Sequence, residues 1–127
     1  MRAHKLSKRA ARVGFDFDVA AQAADKVAEE LEEVRAAVAA AAAGANVDAD
    51  AVAPPQVFEE VGDLLFAAAN LARKLNVDAE AALRAANAKF ERRFRGMEAL
   101  AAAAGVTLAG LDLAAQERLW QEMKRRE

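Results

Sequence analysis

Residues 55–75 read PQVFEEVGDLLFAAANLARKL, and the spacing of their apolar members decides the fold class. Phe58, Val61, Leu64, Leu65, Ala68, Leu71 and Leu75 recur at intervals of three and four, the period that lines one face of an α-helix. Pro55 suits the first position of that helix, where a missing N–H costs nothing, and the helix is expected to end near Asn76. Working upstream, Val19 to Ala43 reads as a long helix with Asp18 as candidate N-cap, Val27, Leu31, Val34 and Val38 as its stripe, and Gly44 as its stop. Ala45 to Pro54, rich in Asn, Asp and Ala, reads as a loop. Before these, Arg2 to Val13 is basic and helix-compatible, and Gly14 tolerates the left-handed conformation that closes a helix. Downstream, Asp78 is the candidate cap of a helix reaching about Ala104, with Leu83, Phe90, Phe94, Met97 and Leu100 as its inner face and Gly105 as its stop. Asp112 is expected to cap a last helix through Leu119, Trp120 and Met123. No segment shows the period of two that marks a strand, and no repeat has a solenoid period. The expectation is an all-α, four-helix-bundle-type domain over residues 1–127, with a short accessory N-terminal helix.

Composition sets further bounds. The 55% hydrophobic fraction of these 127 residues is largely alanine, with six Phe, one Trp and no Tyr to add bulk. Alanine favours helices but buries little area, so contact between subunits is the expected supplement, as a homodimer or homotetramer. Charged residues make up 30% of the chain, yet the net charge is −2, which argues against stable nucleic-acid binding through global charge. No cysteine is present, so thiolate metal sites and disulfides are excluded. The longest apolar run, Ala36 to Ala43, falls well short of the ~20 residues that span a bilayer, and no secretory leader is apparent. A cytoplasmic protein is expected.

Two acidic runs then draw the argument towards chemistry: Glu29-Glu30-Leu31-Glu32-Glu33 and Glu59-Glu60-Val61-Gly62-Asp63. Taken singly, either reads as an ordinary solvated helix face. Their positions tell more together. At about 100° per residue, Glu30 and Glu33 lie along one edge of the Val27/Leu31/Val34 stripe, and Glu60 and Asp63 along the same-handed edge of the Val61/Leu64/Leu71 stripe. Charges that flank an apolar face converge when the helices pack, and four carboxylates so placed repel without a cation. Oxygen-only donors select a hard ion, Mg²⁺ first and Mn²⁺ second, which also binds phosphates.

The pattern Glu29-Glu30-x-x-Glu33 with Glu60-x-x-Asp63 resembles the signature of the MazG nucleotide pyrophosphohydrolases. Further segments extend the resemblance: Arg9 to Asp16, Gly62 to Phe66, Asn70 to Arg73, and Asn87 to Phe94 look like the C-terminal, catalytic half of bacterial MazG. The likeness covers nearly the whole chain, which would make it a short member or an excised domain. It implies that Glu30, Glu33, Glu60 and Asp63 bind metal, with Glu29 in an outer position. It also implies that Lys89, Arg93 and Lys124 contact phosphates and that Trp120 belongs to the nucleotide site. Helical spacing is compatible with this, since Lys89 and Arg93 are four apart, as are Trp120 and Lys124. Phe90 and Phe94 are read as core, and His4 as an exposed residue without a catalytic role.

Departures from the family pattern concern the substrate more than the metal. Gln56 stands where the family often has Lys, Phe17 replaces the usual Trp, and the loop from Gly44 to Pro55 is longer. The activity implied is Mg²⁺-dependent hydrolysis of a nucleoside triphosphate to monophosphate and pyrophosphate, in nucleotide house-cleaning, with Glu33 as candidate general base. The competing expectation, kept open by Gln56, is a non-catalytic helical dimerisation or regulatory module.

Overall fold

The computed structural model describes residues 1–42 and 52–127. They form five α-helices: α1 (Arg2–Arg12), α2 (Ala20–Ala41), α3 (Pro55–Lys74), α4 (Ala79–Ala103) and α5 (Leu113–Arg125), with a 3₁₀ turn at Leu108–Gly110. No strand occurs among the described residues, in keeping with the all-α expectation. The expected stop at Gly44 and the loop up to residue 51 lie outside the described residues. No described helix is long and apolar enough to cross a membrane.

Three helices close as the sequence suggested. Gly14 (φ +89°), Asn76 (φ +59°) and Gly105 (φ +78°) each adopt the left-handed conformation just past a helix end. In each case the next residue donates back into the last turn: Phe15 to Ala10, Val77 to Ala72 and Val106 to Ala101. This pairing satisfies carbonyls that the helix itself leaves free. Asp112 caps α5 as expected, its Oδ1 accepting from the Ala115 N–H at 2.8 Å. Asp18 does not cap α2. Val19 holds that position without a side-chain bond, and the Gln22 Oε1 accepts from the N–H groups of Asp18 (2.8 Å) and Val19 (3.3 Å) instead. A longer side chain one turn inside the helix reaches back and takes over the capping role.

The chain divides into two compact units, Met1–Glu80 and Ala81–Glu127. In the first, α2 runs along α3 and α1 rests on α3. The side chains buried there are small: Ala23 and Ala37 of α2, Ala67 and Ala69 of α3, and Ser7 of α1. The Ser7 hydroxyl is satisfied by the Ala3 (2.9 Å) and His4 (3.1 Å) carbonyls. Alanine lets the helices approach closely, and larger residues are displaced to the flanks. Phe58 accordingly remains 77% exposed, although it belongs to the expected apolar stripe.

In the second unit, α4 and α5 interlock through Gly96. A Cβ at that position would stand 2.6 Å from the Met123 Sδ, so any larger residue there would require the thioether to move. Met97 and Ala101 are buried. Phe90 and Phe94, read from the sequence as core, are 58% and 41% exposed. The helical period was right, but two helices of this size leave one apolar edge of α4 uncovered.

Candidate functional site

The α2–α3 pairing sets one acidic residue of α2 against two of α3. Glu30, Glu60 and Asp63 each offer a carboxylate oxygen within 4.8 Å of the others. Glu60 and Asp63 are three apart on α3 and therefore share a helix face, while Glu30 reaches them from α2. Glu60 and Glu30 are half-buried and Asp63 is exposed. The Glu60 carboxyl is pushed above its ordinary range, first by loss of solvent and then by the charges of Asp63, Glu33, Glu30 and Glu59. Glu33 lies close enough to act on Glu60, yet it is exposed and outside the group of three.

One cation borders this cluster. Lys26 approaches Glu30 at 3.1 Å and Glu29 at 3.2 Å, and its ammonium is held charged above the usual lysine range by those two partners. It offsets part of the negative charge from the Glu30 side. Its separation from Glu30 by one helical turn is visible in the sequence, where Lys26 was not singled out. Glu32 lies apart and pairs with the exposed Arg35. The three-carboxylate junction fits a hard divalent cation: its donors are oxygen alone, they converge from two helices, and one of them is driven towards protonation by its neighbours.

The second unit gathers the expected substrate residues differently. The Arg93 guanidinium lies over the Trp120 ring, 5.2 Å from its centroid. Phe90 meets the same ring at 5.5 Å between centroids, and Phe90 and Phe94 stack at 6.0 Å. Arg93 is also gripped by Glu127, its Nε donating to Oε1 at 2.8 Å and its Nη2 to Oε2 at 2.6 Å. Each partner strengthens the other's charge, so Arg93 is raised and Glu127 lowered from ordinary values. Lys89 and Lys124 are exposed on α4 and α5. Glu127 stands 34 positions from Arg93, and no spacing rule in the sequence links the two.

A third polar group secures the turn after α1. Asp16 binds Arg73 and Lys74 at the end of α3, and Lys74 also donates to the Phe17 carbonyl at 2.6 Å. The Asp16 carboxyl is held below its usual range, chiefly by Arg73. Two of the segments that carry the family resemblance, Arg9–Asp16 and Asn70–Arg73, are thus joined by the Asp16–Arg73 ion pair.

A family model described as the MazG nucleotide pyrophosphohydrolase domain matches residues 20–96, which take in the acidic cluster and Lys89 and Arg93. A nucleoside triphosphate pyrophosphohydrolase of Escherichia coli (strain K12) is 46% identical over 127 residues, all of this chain and 45% of the relative. Its counterpart from Escherichia coli O157:H7 matches to the same extent. The chain therefore spans about half the length of the curated relatives it matches, a share that accords with the resemblance to one half of the bacterial protein.

Proposed function

Because the chain belongs to the MazG nucleotide pyrophosphohydrolase family, we propose that it hydrolyses nucleoside triphosphates between the α- and β-phosphates with a divalent cation, Mg²⁺ first and Mn²⁺ second. The observation that carries this reading is the convergence of Glu30, Glu60 and Asp63 where α2 meets α3. When bound by these three residues, the cation would neutralise phosphate oxygens and lower the pKa of a nearby water.

The remaining roles fall to the protein's own groups. Glu33, near Glu60 but outside the group of three, is proposed to accept the proton of the attacking water. As the new oxygen–phosphorus bond forms at the α-phosphate, the bond to the β-bridging oxygen breaks, and nucleoside monophosphate and pyrophosphate leave. Lys89, Arg93 and Lys124 are proposed to offset the phosphate charge, and Trp120 to contact the nucleotide. We read residues 1–127 as one working domain with a cytoplasmic role in clearing nucleotides.

An oligomer completes the proposal. Phe58 and Leu65 in the first unit, and Leu83 and Phe90 in the second, are each more than half exposed, so each unit presents apolar surface of its own. A homodimer or homotetramer would cover it, and sedimentation at micromolar concentration should then detect no folded monomer. The activity is tested by pyrophosphate release from a panel of ribo- and deoxyribonucleoside triphosphates. Turnover is expected with Mg²⁺ and should vanish on chelation. A folded protein that releases no pyrophosphate from any member of the panel would instead be a non-catalytic helical module.

A further inference from the structure

Arg93 is ordered by its own unit before any ligand arrives. Its side chain is only 14% exposed, although it belongs to a helix whose surroundings are largely open. Two contacts hold it: the Trp120 ring below the guanidinium plane and the Glu127 carboxylate along one edge. The carboxylate takes Nε and one N–H of Nη2. The adjacent edge, comprising Nη1 and the second N–H of Nη2, has no protein partner among the described residues. A guanidinium is rigid and planar, so fixing one edge fixes the direction of the other, and that free edge is itself a fork matched to phosphate oxygens.

We infer that Glu127 is a positioning residue that clamps Arg93 onto Trp120 and presents its free edge to the phosphates of a nucleoside triphosphate. This rests on the functional reading above and adds to it the residue that prepares the phosphate contact. An arginine left to rotate must be ordered as the ligand binds, and affinity falls accordingly. A carboxylate facing a phosphate site would ordinarily repel the ligand. Here Glu127 is paired through both oxygens with Arg93, and the charges of Arg92 and Lys89 also bear on it, so its negative charge is already compensated.

Trp120 is the chain's only tryptophan, so its emission reports this cluster directly. The experiment is a titration of the 127-residue chain with the non-hydrolysable α,β-methylene analogue of ATP in the presence of Mg²⁺, followed by Trp120 fluorescence. In Glu127→Gln the carboxamide cannot accept both Arg93 bonds. The free variant should show altered Trp120 emission, and its dissociation constant for the analogue should rise about tenfold, the scale of a charge-assisted pair. Arg93→Lys keeps the charge and loses the fork. It should reproduce both changes, and adding Glu127→Gln to it should change affinity by less than about twofold, since positions that act through one contact are not additive. Glu127→Ala, which removes the carboxylate without adding a donor, carries the same test should Glu127→Gln fail to fold. If the wild type binds the analogue and Glu127→Gln binds it equally well, Glu127 positions nothing and the inference falls. Tighter binding by that variant would make Glu127 a competitor of phosphate and overturn it too. A wild type that neither binds the analogue nor hydrolyses any triphosphate would defeat the functional reading, and this inference with it.

Discussion

Glu60 and Glu127 are both glutamates beside other charged groups, and their surroundings drive them in opposite directions. Glu60 shares its junction with Asp63, Glu30 and Glu33, and its carboxyl is raised by lost solvent and like charge. Glu127 sits against Arg93 and is lowered by it. The first arrangement is compensated within the fold only in part, by Lys26, and is the one proposed to take a cation from outside. The second is complete and serves to order a side chain. A protein of alanine-built helices therefore carries one acidic group that costs stability and another that settles its neighbour, which is a reason to assign them different work.

The largest effect expected to separate the two regions is on turnover. Glu60→Gln and Asp63→Asn keep shape and remove charge, so both should fold normally, as helical circular dichroism would show. Each should lose at least about a hundredfold in the rate of pyrophosphate release, the scale of removing one preorganised electrostatic contact. Arg93→Lys should act mainly on affinity, raising KM about tenfold through loss of a charge-assisted fork. Reversal of that split, with kcat falling at Arg93 and only KM changing at Glu60, would break the comparison. Glu32→Gln, which loses only a surface pair with Arg35, should change neither.

Much of this was legible in residues. The helical period of residues 55–75, the stops at Gly14 and Gly105 and the Asp112 cap all depend on local backbone chemistry, which a sequence displays directly. The convergence of Glu30, Glu60 and Asp63 was legible too, because edge positions on two neighbouring stripes meet once the helices pair. Glu33 shares an edge with Glu30 but stays outside the group of three, since one more turn along α2 is enough to leave the closest contact. What the sequence concealed was tertiary. Glu127 finds Arg93 from beyond the end of α5, and Phe90 and Phe94 lie on a correctly read apolar face that Trp120 covers only in part. Gln22 reaches back to the Asp18 and Val19 N–H groups and the helix starts after Val19 instead of Asp18, a choice that spacing does not decide.

Smaller effects sharpen the comparison through pH. Glu60 has a folded-state pKa above its unfolded one, so between those values the folded protein binds more protons, and metal-free stability should fall as pH rises through that window. Asp16 is the opposite case. Its folded pKa is depressed, so its contribution is present above the unfolded carboxylate value and is lost as pH falls through the folded one. Denaturant titrations of metal-free protein across the acid range should show the first trend disappear in Glu60→Gln. Asp16→Asn should remove the second with only a slight loss of stability at neutral pH, since the pair is partly open to solvent.

The central claim, that the α2–α3 carboxylates form a cation site, is tested most directly by thermal melting with Mg²⁺ against NaCl of matched ionic strength. A cation that binds only the folded arrangement stabilises it by RT ln(1 + [L]/Kd), about 2.7 kcal/mol at a hundredfold excess over Kd. For a domain of this length, at about 3–5 °C per kcal/mol, that raises Tm by roughly 8–14 °C. Wild type should gain this with Mg²⁺ and little of it with NaCl. Glu60→Gln should melt above wild type without metal and gain less when it is added. Equal shifts from Mg²⁺ and matched NaCl, in wild type and variant alike, would contradict the account and leave Glu30, Glu60 and Asp63 as a solvated acidic face.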